Sequence, residues 1–232
     1  FDRQRNVQAE EGGAFPFPDG KRNTGIGGPE VSYVLRRFAG FGAQQRILWD
    51  AAPHVGTDVL EKVVSNLRNH ILSLGGEIRF GCRVEDILLA DGAVRGVAAA
   101  SASGREELEC TALFLAVGHS ARDTFEMLLK RGAAMEPKPF AMGVRIEHLQ
   151  KSIDRAQYGA FAGHPALGPA PYKLAVHLPD GTGVYTFCMC PGGYVMAAAS
   201  EEGGVVTNGM SYSGRAGENS NSALLVSLKP EQ

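Results

Sequence analysis

The order of secondary-structure signals between residues 57 and 118 constrains the fold more than any other feature of the sequence. It begins with an apolar stripe at helical spacing over residues 57–74, which predicts an amphipathic helix. Thr57 or Asp58 can cap the start of this helix, and Gly75-Gly76 can end it in a left-handed turn. A short extended segment is expected next, at residues 77–80.

A strand-rich stretch follows this helix. Segments 83–90 and 93–100 flank Asp91-Gly92, a strong signal for a tight β-hairpin, and residues 106–110 predict a third antiparallel strand. The continuous apolar run 111–117 predicts a strand buried on both faces, ending at Gly118, with a helix expected at 121–130. In open α/β sheets ligands bind beyond the carboxyl ends of such strands. The order therefore favours a nucleotide-binding α/β domain.

The rest of the chain has a different pattern of secondary-structure signals. Residues 29–40 predict a short amphipathic helix that begins at Pro29, whereas residues 12–28 and 159–171 predict loops. After Pro137 short strand signals alternate with Gly and Pro, which indicates a mainly antiparallel β module. The expected strands are 140–147, 172–177, 184–189, 194–199 and 205–212.

Composition excludes several function classes. A net charge of -2 gives no basic excess for binding nucleic acid or an anionic membrane surface. No apolar run reaches the roughly 20 residues that cross a bilayer. Four cysteines are too few for a disulfide scaffold in a chain of 232 residues, so we expect reduced thiols and a cytoplasmic protein.

Five polar, glycine-containing strings resist an explanation by packing alone. They are EGGAFPFPDGK (11–21), GHSARD (118–123), KPFAMGVRIEH (138–148), FCMCPGG (187–193) and NGMSY (208–212). Together and in this order they resemble a family of bacterial FAD-dependent dehydrogenases of unassigned substrate, with a glutathione-reductase-type fold. The resemblance extends over about residues 6–226.

The resemblance implies an α/β protein with a partial FAD/NAD(P)-binding, glutathione-reductase-like domain and a mainly antiparallel β module. The implied domains are 1–135 for FAD binding, 136–212 for the β module and 213–232 as a return segment toward the FAD domain. The implied partners are FAD and a small-molecule substrate, with neither nucleic acid nor membrane. The full protein would transfer hydride or electrons through FAD.

The resemblance also implies cofactor-binding residues, each with a simpler alternative. Gly118, His119 and Asp123 would contact the FAD ribose or pyrophosphate, or they mark only a strand end and a helix start capped by Ser120. The main chain of Val84 would bracket the adenine, or Val84 only packs in the core. The 11–21 loop would contact the flavin phosphates or ring, or it is merely flexible. Its residues concerned are Gly12, Gly13, Asp19, Gly20 and Lys21.

Two departures from the family pattern bear on function. The Gly-rich dinucleotide fingerprint is absent, and Phe15 to Pro18 put bulkier residues into the 11–21 loop. Both ends look cut from a longer chain, so this fragment alone is expected to bind FAD weakly or not at all and to be inactive. The rival interpretation is a flavin-free binding or structural module.

The thiols and imidazoles give no catalytic or metal assignment. Cys188 and Cys190 on one strand would sit about 6.5 Å apart, too far for an unstrained disulfide. Redox pairs usually follow a C-x-x-C spacing, and a metal would need further ligands nearby. Four isolated histidines are expected to be structural, with His119 closest to the expected flavin site: His54, His119, His148 and His177.

Overall fold

The computed structural model describes residues 28–50 and 53–231, and these form two compact units. The meander unit is Gly75–Pro137. The sheet unit contains the described residues 28–50, 53–74 and 138–231. The expected domain boundaries at 135 and 212 remain predictions, and the 11–21 loop lies outside the described residues.

The sheet unit begins with helix α1 (Pro29–Gly40), a 3-10 helix (Gln45–Leu48) and helix α2 (Thr57–Ser73). Helix α1 has the bounds that the sequence predicts, with Pro29 in its first turn, where its missing N–H is not needed. These helices bury one apolar cluster, which contains Phe38, Ala43, Ile47, Val55, Leu60 and Val63.

Helix α2 has nearly the predicted bounds, and Gly75 after it has the left-handed φ of 84° that the sequence predicts, but its N-cap and the burial of its stripe differ from the prediction. Its N-cap is Gly56, with no side-chain cap hydrogen bond, so the prediction that Thr57 or Asp58 caps it is wrong. Both side chains bind residues 211–213 instead. The apolar stripe is buried only in its first half, since Ile71 is 44% exposed and Leu74 is 73% exposed.

The meander unit contains the antiparallel sheet that the sequence predicts. Strands β1 (Arg83–Ala90), β2 (Ala93–Ser101) and β3 (Gly104–Glu109) pair in that order. Asp91 and Gly92 have φ of 51° and 77°, which a two-residue hairpin turn requires.

The prediction of a buried strand at 111–117 is wrong. The segment has no strand assignment, Phe114 is 90% exposed and Leu115 is 41% exposed. A strand needs neighbours for its backbone N–H and C=O groups, and the three-stranded sheet of this unit does not include the segment. Residues 77–80 are also irregular. The glutathione-reductase-type order is therefore not confirmed.

Helix α3 (Arg122–Lys130) follows close to its predicted place. Its N-cap is Ala121 without a side-chain cap, so the alternative role of Ser120 as the cap is also wrong. The backbone oxygen of Ser120 accepts a hydrogen bond from the amide of Arg122 at 3.0 Å.

The second half of the sheet unit is mainly antiparallel, as predicted. Its strands are β4 (Phe140–Leu149), β5 (Ala175–His177), β6 (Gly183–Thr186), β7 (Tyr194–Ala197), β8 (Thr207–Met210) and β9 (Asn219–Leu228). The four-stranded sheet has the order β4-β9-β6-β5, and a separate pair joins β7 to β8. Helix α4 (Gln150–Tyr158) follows β4 directly.

Strand β9 lies between β4 and β6, although the sequence predicts only a return segment there. Its ten residues pair with all ten of β4, from Phe140 opposite Leu228 to Leu149 opposite Asn219. Among the described residues, no helix has the length and apolar character needed to cross a membrane.

Candidate functional site

The described members of the expected flavin site all lie in the meander unit. Val84 is in β1, Gly118 and His119 precede α3, and Asp123 is in the first turn of α3. The other expected contacts, Gly12, Gly13, Asp19, Gly20 and Lys21, lie outside the described residues.

The backbone at Gly118 is open to a ligand. Its φ of 73° suits glycine, and a Cβ added there would meet no atom within 4 Å. His119 beside it is exposed. Asp123 accepts a hydrogen bond from the amide of Thr124 at 2.9 Å, and its carboxylate is a better acceptor for a ribose hydroxyl than a neighbour for a phosphate. The turn therefore combines an accessible backbone at Gly118 with a hydrogen-bond acceptor at Asp123.

Val84 lines an open cavity of about 440 Å³ on the meander unit. Because β1 is an edge of the three-stranded sheet, alternate peptide groups of β1 point away from β2 and can pair with a base. Arg79 also lines this cavity and is bound by Glu77 and Glu106. Hydrogen bonds from the guanidinium to Glu77 and then Glu106 raise the pKa of Arg79. The carboxylates of Glu77 and Glu106 thus offset the positive charge of Arg79 beside this cavity.

In the sheet unit, three of the five sequence strings meet in a buried polar cluster around Gly209. A Cβ on Gly209 would collide with Asn221 Oδ1 and would lie 2.7 Å from Arg145 Nη1 and 2.8 Å from Cys190 Sγ. Arg145 donates to Asn221 Oδ1 at 2.8 Å and to Asn208 Oδ1 at 3.4 Å. The glycine in NGMSY is thus explained by close packing against the other strings.

Sequence reasoning missed Asn221, which is fully buried in β9. Its backbone bonds to that of Cys190, and the Cys190 amide donates to the Asn221 oxygen at 2.8 Å. The alternation of small polar residues from Asn219 to Ser222 is the only local signal for this role.

The two close cysteines have different surroundings. Cys190 is 2% exposed, whereas Cys188 is exposed. Strand β6 ends at Thr186, so the two do not share one strand face as the sequence reasoning assumed. All four cysteines are thiols rather than disulfides. The described part of the chain holds no group of three or more His, Cys, Asp or Glu that could bind a metal.

Two of the isolated histidines have hydrogen-bond partners in the sheet unit. His148 Nε2 and the Tyr172 hydroxyl share a hydrogen bond of 2.8 Å, and Ser220 Oγ lies 3.5 Å from His148 Nδ1. Burial is the main reason that the pKa of Tyr172 is raised. His54 Nε2 lies 3.2 Å from the backbone oxygen of Tyr212.

An open cavity of about 460 Å³ lies beside the start of α2 in the sheet unit. We call it the tyrosine cavity. Tyr194 and Tyr212 are edge to face there, with ring centroids 5.9 Å apart. The side chains that give it its character are Thr57, Glu61, Tyr194, Met196, Met210 and Tyr212.

Hydrogen bonds hold the start of α2 against this cavity. The Thr57 hydroxyl donates to the Ser211 oxygen at 3.3 Å. Asp58 accepts from the amide of Ser213 at 2.8 Å and from its hydroxyl at 2.7 Å. Burial alone would raise the pKa of Asp58, but these hydrogen bonds outweigh it and lower the pKa.

Comparison with known proteins supports a flavoprotein assignment for the region that holds the polar cluster. Residues 139–232 match the model of a family described as FAD-dependent protein, C-terminal domain-like. The chain is also 47% identical over 229 residues to an uncharacterized protein of Clostridium beijerinckii. That alignment covers 98% of this chain and 42% of the relative, so the chain spans less than half of the relative's length.

Proposed function

We propose that this chain is part of a FAD-dependent oxidoreductase that moves hydride or electrons between FAD and a small-molecule substrate. The match of residues 139–232 to a FAD-dependent family model carries the proposal. The five sequence strings support it, because three of them meet around Gly209 within or beside the matched region.

The meander unit supplies the described flavin contacts in this proposal. The open backbone at Gly118 admits the ribose, Asp123 accepts a hydrogen bond from a ribose hydroxyl, and the outer edge of β1 near Val84 receives the adenine. When bound, FAD supplies the redox chemistry, while the protein positions it and sets its electrostatic surroundings. Gly12, Gly13, Asp19, Gly20, Lys21 and His119 are further proposed contacts.

A flavin-free binding or structural module is the second candidate. The observation that favours it is the exposed segment 111–117, which the flavoprotein interpretation expects to be a buried strand ending at Gly118. A module of this kind would carry no flavin in any preparation.

A pair of matched glycine substitutions tests the proposal. Gly118 and Gly132 have φ of 73° and 81°, both lie in the meander unit, and a Cβ added at either meets nothing within 4 Å. Gly118→Ala and Gly132→Ala therefore impose similar backbone strain. In protein expressed from the complete gene, only Gly118→Ala should weaken FAD binding, by roughly tenfold or about 1.4 kcal/mol.

The measurement is an FAD titration of the apoprotein of each variant, followed by fluorescence quenching. Equal FAD affinity in the two variants would show that Gly118 does not approach the cofactor. Loss of affinity in both by the same factor would show that only backbone strain is being measured.

A further inference from the structure

The tyrosine cavity has the size of a small-molecule site. Its volume of about 460 Å³ lies within the range of roughly 300–1,000 Å³ that is usual for such sites. Its described lining residues belong to the sheet unit, and none of them is among the residues that we propose to contact FAD.

Aromatic faces and thioethers form most of its wall. Tyr194 and Tyr212 are 47% and 50% exposed, so both side chains are accessible from solvent, whereas Met210 is 3% exposed. Met196 adds a second thioether. Tyrosine π faces attract cations, and methionine adapts to ligands of irregular shape.

Among the described residues that line the cavity, Glu61 is the one with a charged side chain, and it is exposed. It lies four residues after Thr57 in α2, which puts both side chains on the same helix face. The positive end of the α2 dipole is offset by the Asp58 carboxylate in the first turn. The carboxylate of Glu61 and the two π faces therefore select for positive charge and against an anion.

The cavity is also preorganised. Asp58 binds Ser213 by two hydrogen bonds, and Thr57 binds Ser211, so both segments that flank Tyr212 are fixed to α2. A ligand that enters does not need to order these walls, which lowers the free-energy cost of binding.

We propose that the tyrosine cavity binds a small organic ammonium cation that carries an apolar or aromatic group. This goes beyond the proposed oxidoreductase function and does not depend on it. The apolar group packs on the methionines, and the ammonium lies between the tyrosine faces and the Glu61 carboxylate.

The test compares two probes of similar size and opposite charge, benzyltrimethylammonium and benzenesulfonate, by calorimetric titration at equal ionic strength. The cation should bind measurably and at least roughly fivefold more tightly than the anion, a ratio that one cation–π contact can supply. Equal affinity for the two probes, or no binding of the cation, would overturn the proposal.

Substitutions of residues that line the cavity test whether the cation binds there. Glu61→Gln and Tyr212→Ala should each weaken benzyltrimethylammonium binding roughly threefold to tenfold, and Tyr212→Phe should retain it. Glu126→Gln is the control, because it removes the same charge from an exposed site on α3. If Tyr212→Ala does not fold, the affinity of Glu61→Gln tests the proposal alone. This variant is expected to fold because Glu61 is exposed and the glutamine side chain is nearly isosteric with that of glutamate. Affinity that is equal in Glu61→Gln and Glu126→Gln would place the cation elsewhere.

Discussion

Gly209 shows how one residue without a side chain allows a buried cluster to form. Gly209→Ala would force a Cβ against Asn221 Oδ1, Arg145 Nη1 and Cys190 Sγ, and Cys190 and Asn221 are both buried. Overpacking of this kind should lower the free energy of unfolding by about 1–3 kcal/mol. Chemical denaturation of the variant followed by circular dichroism measures the change.

The matched control is Gly40→Ala at the end of α1. A Cβ there meets nothing within 4 Å, and alanine has the higher helix propensity, so stability should be unchanged or rise by up to about 1 kcal/mol. If Gly209→Ala and Gly40→Ala both had the same stability as the unchanged protein, the description of Gly209 as closely packed would be wrong.

The ion pair between Asp86 and Arg131 gives a second prediction. Arg131 Nε donates to Asp86 Oδ1 at 2.8 Å, and Nη2 donates to Oδ2. The hydrogen bonds from Arg131 are the main reason that the pKa of Asp86 is lowered. A lowered carboxyl pKa stabilises the fold above the ordinary pKa and loses that effect as pH falls through the lowered value.

Arg131→Gln should therefore raise the pKa of Asp86, as measured by carboxyl ¹³C NMR titration. It should also lower stability slightly at neutral pH, and this difference should disappear as pH falls through the lowered pKa of Asp86. Lys130→Gln removes one positive charge from the same end of α3 and should leave the Asp86 titration almost unchanged. If the pKa of Asp86 were the same in Arg131→Gln as in the unchanged protein, the ion pair between Asp86 and Arg131 would not exist in solution.

At the scale of elements, helix α2 depends on Asp58 for its attachment to residues 211–213. Asp58→Ala removes both hydrogen bonds to Ser213, so we expect a loss of about 1–2 kcal/mol and faster amide exchange at Ser213. Ser213→Ala removes only the hydroxyl bond and should cost less. Equal costs in the two variants would mean that the bond to the Ser213 amide contributes nothing.

Elements that depend on local signals could be predicted from the sequence. Helix α1 starts at Pro29, and the hairpin turns at Asp91-Gly92, because the conformational preferences of these residues act over a few positions. Strand β9 and segment 111–117 could not be predicted in this way. The place of β9 is decided by pairing with β4 and β6, and an apolar run indicates burial without indicating a partner.

For the candidate sites, the sequence indicates several of the residues but not which of them come together in space. The strings that contain Arg145, Cys190 and Gly209 were recognised, but their meeting in space depends on the sheet. Asn221 lies in none of the strings, and its burial follows only from the central position of β9. Thr57 and Asp58 were recognised as helix-start residues, yet both bind a distant segment, which no local pattern reveals.

In the whole molecule, the two units contain different proposed sites. The meander unit contains the described residues that we propose to contact FAD. The sheet unit contains the region that matches the FAD-dependent family model and the tyrosine cavity.

The proposed function requires that the protein carries FAD, so the flavin content of the purified protein is the decisive measurement. Protein expressed from the complete gene is purified, its absorbance spectrum is recorded, and the cofactor is released by heat and identified by chromatography. We predict absorbance near about 450 nm and about one FAD per chain. A colourless protein that releases no flavin, and that takes up none when incubated with FAD, would contradict the claim and leave the flavin-free module as the function.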